Sequence, residues 1–178
     1  MAPRAASARR IDSSTLALTL PAFTALACAA LALVLPARVA QAQASATDKA
    51  SIEYRQLVMG AIGSNMGAIG GIMKHQLALP GAVANHAQQM ADAAKLIAPA
   101  FKQKATAGKT DAKAEIWSDW AEFEKARADY EKAASQLAMT AKGSDPGAVG
   151  LAVRALGESC GGCHDSFRKP KEESYKNR

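Results

Sequence analysis

The sequence predicts an all-α protein, an antiparallel four-helix bundle. Three observations carry this reading. Four segments repeat apolar residues at the helical period, no segment alternates at the strand period, and Pro and Gly punctuate the gaps. The first predicted helix runs from about Thr47 to Gln76. Its Ile52, Met59, Ile62, Met66, Ile69 and Met73 fall at spacings of 7, 3, 4, 3 and 4, a heptad-like seam. Pro80-Gly81 separates it from a second helix, from about Ala82 to Ile97, with Val83, Ala87, Met90, Ala94 and Ile97 on one side. Pro99 is expected to close that helix. A polar loop from Phe101 to Lys113 follows, containing Gly108. The third helix is expected from about Ala114 to Lys142, with Ile116, Trp120, Phe123, Arg127, Tyr130 and Leu137 as its seam and Gly143 as its stop. The fourth opens on Asp145 as N-cap with Pro146 in the first turn. Its seam is Val149, Val153, Leu156, Cys160, Cys163 and Phe167. Helices of this length with mostly short connections pack antiparallel. The tail from Lys169 on is charged and broken by Pro170, so it is expected to fray.

Residues 1–44 have the pattern of an export signal. Arg4, Arg9 and Arg10 form a basic start, and an apolar run from Leu16 to Leu35 follows, interrupted by Pro21. Ala40-Gln41-Ala42 and Ala42-Gln43-Ala44 are both small-x-small sites, so cleavage after Ala44 or after Ala42 is expected. The run is long for a signal, which leaves an uncleaved membrane anchor open. Removal would leave residues 45–178, a one-domain length, and would place the protein in the periplasm. The first 44 residues hold four of the 22 basic and one of the 16 acidic residues, so the net charge falls from +6 to +3. No concentrated basic face is visible, and nucleic-acid binding is not expected. Of the three cysteines only Cys160 and Cys163 would remain.

Those two belong to Cys160-Gly161-Gly162-Cys163-His164, the attachment pattern of a c-type haem. Two thiols add across the two vinyl groups of one porphyrin, and the next residue offers an imidazole to its iron. On a helix, positions i, i+3 and i+4 share a face, so all three side chains can meet one flat cofactor. Zinc takes four ligands, usually with a second thiolate pair, and none exists here. A redox dithiol opens a helix after a strand, whereas this motif lies inside a helical pattern.

The motif stands 14 residues from the C-terminus and no Met follows it. With Tyr54-Arg55-Gln56 and Met59 in the first helix, Glu115-Ile116-Trp117 opening the third, and Cys160 to Arg168 closing the fourth, the chain resembles class II cytochromes c, the group of cytochrome c′ and the cytochrome c-556 type. The resemblance spans nearly all of residues 45–178. It implies one covalent haem c enclosed by the bundle, held by Cys160 and Cys163, with His164 as proximal ligand and Arg168 beside it. It also implies that Arg55 lies near a propionate, and that Gln56, Asp111 and Trp117 lie at the haem edge. Gly161 departs from the Lys that cytochromes c′ often carry there and is closer to the c-556 type.

The sixth iron position separates the functions. Met59 occupies the matching place. The function expected first is a single-electron carrier serving periplasmic or membrane-bound redox proteins, with the Met59 thioether as possible sixth ligand. An unligated Met59 would leave a five-coordinate iron that binds NO or CO against apolar walls. Enzymatic turnover is not expected, because Ile62, Gly63 and Met66 near Met59 cannot shuttle protons. Met66, Met73, Met90 and Met139 read as core filling, and His75 and His86 as surface residues. Gly60, Gly63, Gly67 and Gly70 make a smooth stripe, which fits close approach by the haem or by a second subunit, or mere bias towards small residues. The resemblance implies a homodimer through the first two helices.

Overall fold

The structure, a computed structural model, describes residues 23–143 and 145–177, with side chains for residue 43 and from 45 on. It divides into two compact units, residues 1–41 and 42–178, and the bundle core and its cavity belong to the second. The basic start of the export pattern, at Arg4, Arg9 and Arg10, lies outside the described residues. Among the described residues no helix is long and apolar enough to cross a membrane. Four main helices and one short one make the bundle: α1 (Phe23–Lys74), α2 (Ala82–Lys102), α3 (Glu115–Ser118), α4 (Trp120–Thr140) and α5 (Pro146–Phe167). No strand occurs among the described residues, only an isolated antiparallel bridge between Ala112 and Arg168.

The helix boundaries follow local chemistry. α1 ends where Gln76 turns to φ 49° and Leu77 N–H reaches the Ile72 carbonyl at 3.0 Å. A left-handed residue after the last turn is how many helices stop, although glycine usually fills that place. Gly81, at φ 75°, opens α2. Asp145 caps α5 by accepting from Gly147 N–H at 2.9 Å, with Pro146 as first helical residue, as expected.

α1 begins at Phe23 and not near Thr47, and three further expectations fail. Pro99 does not close α2, which runs on to Lys102. Proline removes one N–H from the ladder, but Ala100 and Phe101 in the extra turn are 4% and 8% exposed, and their burial holds it. The third predicted helix is two helices. Asp119 breaks the ladder at φ −130°, ψ 61°, and its carboxylate accepts from Glu122 N–H at 3.3 Å, so it starts α4 afresh. The tail does not fray. It forms two short 3-10 turns, Lys171–Glu173 and Tyr175–Asn177, and Ser174 between them is buried.

The core is the shared inner face of the helices. Ile69, Met90, Ile116, Leu137 and Leu156 are its largest fully buried side chains. Phe123 stands at its aromatic centre, with ring centroids of Phe101, Trp120 and Phe167 at 5.2, 5.3 and 5.4 Å. Such tilted and edge-on pairs add to simple burial. Polar links set the helix partners. Tyr130 Oη on α4 donates to the Met90 carbonyl on α2 at 3.2 Å. His86 on α2 lies 2.7 Å from Asn65 Oδ1 on α1, so it is half-buried between helices and not a free surface residue. Met90 fills the core, but Met73 and Met139 are exposed, against expectation. Met73 lies in the last turns of α1 and Met139 next to the end of α4.

Candidate haem site

α1, α4, α5 and the loop after α2 enclose a cavity of about 510 Å³. That volume suits a bound cofactor, for which cavities run from about 300 to 1,000 Å³. One wall is α5, with Cys160, Cys163 and His164 one helical turn apart. The α1 wall carries Arg55, Gln56, Met59, Ile62 and Met66. The remaining end is made by Thr110 and Asp111 of the loop, Arg168, and Tyr175 and Lys176 of the tail. All seven site residues expected from the sequence (Arg55, Gln56, Met59, Asp111, Cys160, Cys163 and His164) line this one space. Trp117 stands behind the wall, against Arg55.

The heptad seam explains the α5 wall. Leu156 and Phe167 are buried above and below, and the two thiols between them are half-buried and free. Burial pushes both thiols above the usual cysteine value, and for Cys163 the neighbouring Cys160 adds to it. A redox dithiol needs the opposite, a thiol pKa lowered towards neutrality. His164 faces open cavity space, yet neighbouring protein is close enough that burial, then the charge of Arg168, lowers its imidazole pKa against Asp165. The neutral imidazole so favoured is the form that binds metal. Among the described residues no three His, Cys, Asp or Glu side chains cluster as a metal site.

Arg55 is the most telling residue of the opposite wall. It is 3% exposed, which the sequence pattern alone does not show for a charged residue. One of its N–H groups donates to the Ala105 carbonyl at 2.5 Å. Its guanidinium carbon lies 5.2 Å from the ring centroids of both Phe101 and Trp117. Burial lowers its pKa and Asp48 partly opposes this, but a guanidinium stays charged in proteins. Nε and Nη1 find no partner among the described residues. A buried cation with two unpartnered nitrogens, in the wall of a cavity, fits a carboxylate-bearing ligand. Next to it, Gln56 donates to the Lys109 carbonyl at 2.6 Å, which fixes the loop against α1.

Asp111 sits in the wall, but its two oxygens are taken. Ser174 Oγ donates to Oδ2 at 2.8 Å and Tyr175 N–H to Oδ1 at 2.9 Å. Tyr175 was missed by sequence reasoning, and Lys176 was read only as one of the charges of a solvated tail or of a basic collar near the haem. No periodic pattern covers them, and only the fold brings Asp111 within reach.

The residues therefore fit a haem: two free thiols, an imidazole one position on, and a buried guanidinium for a propionate. A family model described as Cytochrome C' matches residues 50–168. The chain belongs to the cytochrome c′ family. Proteins of this family bind a covalently attached haem c with its iron. The chain is 40% identical to the cytochrome c′ of Rhodospirillum rubrum over 141 residues, covering 79% of this chain and 94% of that one. It is 39% identical to the cytochrome c′ of Pararhodospirillum photometricum, covering 70% and 100%. Among solved structures, the Shewanella frigidimarina cytochrome c′ matches at TM-score 0.65 and 32% identity, covering 69% of this chain and 97% of that one. The nitric oxide complex of an Alcaligenes xylosoxidans cytochrome c′ mutant matches at TM-score 0.62 and 27% identity, with the same coverage. Cytochromes c′ are themselves a reference example of the four-helix bundle, so fold and family say the same thing here.

Proposed function

We propose that this cytochrome c′ family member is a periplasmic haem c protein that binds NO or CO at an apolar distal site. Cys160 and Cys163 hold the porphyrin by thioethers, His164 binds the iron, and Arg55 pairs with a propionate while Gln56 steadies the loop beside it. When bound, the haem supplies an iron that exchanges one electron and holds a diatomic gas. The chain's own part is to shape the space around it. The observation that carries the reading is the α1 wall, where Met59, Gly60, Ile62, Gly63 and Met66 offer no proton donor. A Cβ placed on Gly60 or Gly63 would meet nothing within 4 Å, so that face is open. Apolar surroundings without a distal acid or base give no route to turnover, and the protein is read as a binder and not an enzyme.

A second reading has its own support. Met59 lines the same cavity, and its thioether is a possible sixth ligand. That bond would make the protein a single-electron carrier for periplasmic or membrane-bound redox partners. CO titration of the ferrous protein, wild type beside Met59→Leu, tests the choice. The gas-binding reading expects both to bind CO at similar rates. A wild type that resists CO until Met59 is replaced supports the carrier.

Export with cleavage after Ala44 or Ala42 and a homodimer through α1 and α2 belong to the same proposal. N-terminal sequencing of secreted protein tests the first. A concentration-independent monomer mass would reject the second.

A further inference from the structure

The segment after Phe167 lies past the four-helix bundle and, from Lys169 on, beyond the residues 50–168 that match the family. It is nonetheless tied to one short stretch of the loop. Lys169 N–H donates to the Asp111 carbonyl at 2.8 Å, and Lys169 Nζ to the Thr110 carbonyl at 3.1 Å. Pro170 then turns the chain into the first 3-10 turn. Ser174, 5% exposed, and Tyr175 N–H close the clasp on the two oxygens of the Asp111 carboxylate. The result of this folding is that Tyr175 and Lys176 stand in the cavity wall. Lys176 Nζ lies 6.0 Å from the Tyr175 ring centroid.

The charge on the cavity wall is lopsided. Arg55, Arg168 and Lys176 line it, and Asp111 is the one acid, with both oxygens already bonded. Arg127 also lines the cavity but is paired with Glu124 and Glu131 on its own helix. Lys176 makes no ion pair among the described residues. A concentration of cations beside a cavity calls for a carboxylate ligand.

We propose that Lys176 is a second propionate-binding residue, in addition to Arg55, and that the Asp111–Ser174–Tyr175 clasp exists to hold it at the cavity. Asp111 then acts as a positioning residue and does not touch the cofactor. The proposal rests on the reading that haem c fills this cavity.

The test is the midpoint potential of the holoprotein as a function of pH, which reports propionate ionisation. A nearby cation favours the ionised carboxylate, so removing it raises the propionate pKa. Lys176→Gln is expected to move the propionate-linked bend in the curve up by about half a pH unit, a modest shift because Lys176 is open to solvent. Lys176→Arg is expected to keep the wild-type curve. Ser174→Ala, which loosens the clasp, is expected to shift the curve the same way and to make residues 169–177 at least several-fold more sensitive to carboxypeptidase. Superimposable curves for wild type and Lys176→Gln overturn the proposal, and so do equal shifts for Lys176→Gln and Lys176→Arg. A haem-stained denaturing gel checks the underlying reading separately. Protein without covalent haem rejects that reading, whereas stained protein with an unmoved curve rejects only the role of Lys176.

Discussion

The Arg55 guanidinium carbon lies 5.2 Å from the Trp117 ring centroid, and the Trp117 indole N–H donates to the Phe101 carbonyl at 2.7 Å. A buried cation is thus steadied by aromatic faces and a carbonyl, and makes no ion pair among the described residues. Its Nε and Nη1 find no hydrogen-bond partner among the described residues. Arg55→Met keeps the stem's volume but removes the charge. It loses a hydrogen bond to a charged group, worth about 1.5–3 kcal/mol, and a cation–π contact of about 0.5–2 kcal/mol. Relief of the two unpartnered nitrogens offsets part of this in protein without haem, so the cost is expected to be larger in the holoprotein, at about 2 kcal/mol. Urea unfolding of both forms measures it. Arg55→Lys is expected to restore only part, because an ammonium lacks the planar fork.

Tyr130 couples the core to pH. Its hydroxyl donates to the Met90 carbonyl, and burial pushes its pKa well above the ordinary value, with the Cys160 charge adding. Once Cys160 is a thioether, only burial remains. The folded state then holds this proton more tightly than the unfolded chain. The contribution is fully present below the unfolded value of about 10 and is lost as pH rises beyond it. Tyr130→Phe is expected to cost about 1 kcal/mol at neutral pH, from the lost hydrogen bond between α4 and α2, and to flatten the alkaline fall in stability. Thermal unfolding at several alkaline pH values checks the slope.

Asp119 begins α4 with its carboxylate on Glu122 N–H. Asp119→Ala removes the cap and is expected to lower stability by about 1 kcal/mol, within the usual range for lost N-caps. Asp119→Asn is expected to keep most of it. Urea midpoints of the two variants decide.

The bundle was legible because burial repeats. Ile52, Ile62 and Ile69 on α1, Leu137 on α4 and Leu156 on α5 are buried at the positions the seams assign. The α5 wall was legible because attachment chemistry demands residues one turn apart, at Cys160, Cys163 and His164. What escaped depends on contacts between distant segments. Pro99 reads as a stop until Phe101 is seen against Phe123. Asp119 looks like an exposed helical residue until its cap geometry appears. The charged tail looks solvated until Asp111 receives Ser174 and Tyr175 from 63 and 64 positions away. Arg55 was placed by resemblance, but its burial between aromatic rings is a tertiary fact.

The glycines of α1 separate two uses of small residues. Gly60 and Gly63 line the cavity, whereas Gly67 and Gly70 do not, and an added Cβ at any of them meets nothing within 4 Å in this chain. Gly70→Ala is therefore expected to gain about 0.5–1 kcal/mol of helix stability in an isolated chain. If α1 packs closely on a second subunit there, the same change is expected to weaken the dimer instead. Sedimentation at several concentrations, beside urea unfolding, reads both effects.

The distal position carries the whole functional account, and the spin state of the ferric iron reports it most directly. Electron paramagnetic resonance of the purified ferric protein at neutral pH is expected to give a high-spin signal, with His164 as the only axial protein ligand. A purely low-spin signal that becomes high-spin in Met59→Leu would contradict it and make the protein a His/Met electron carrier.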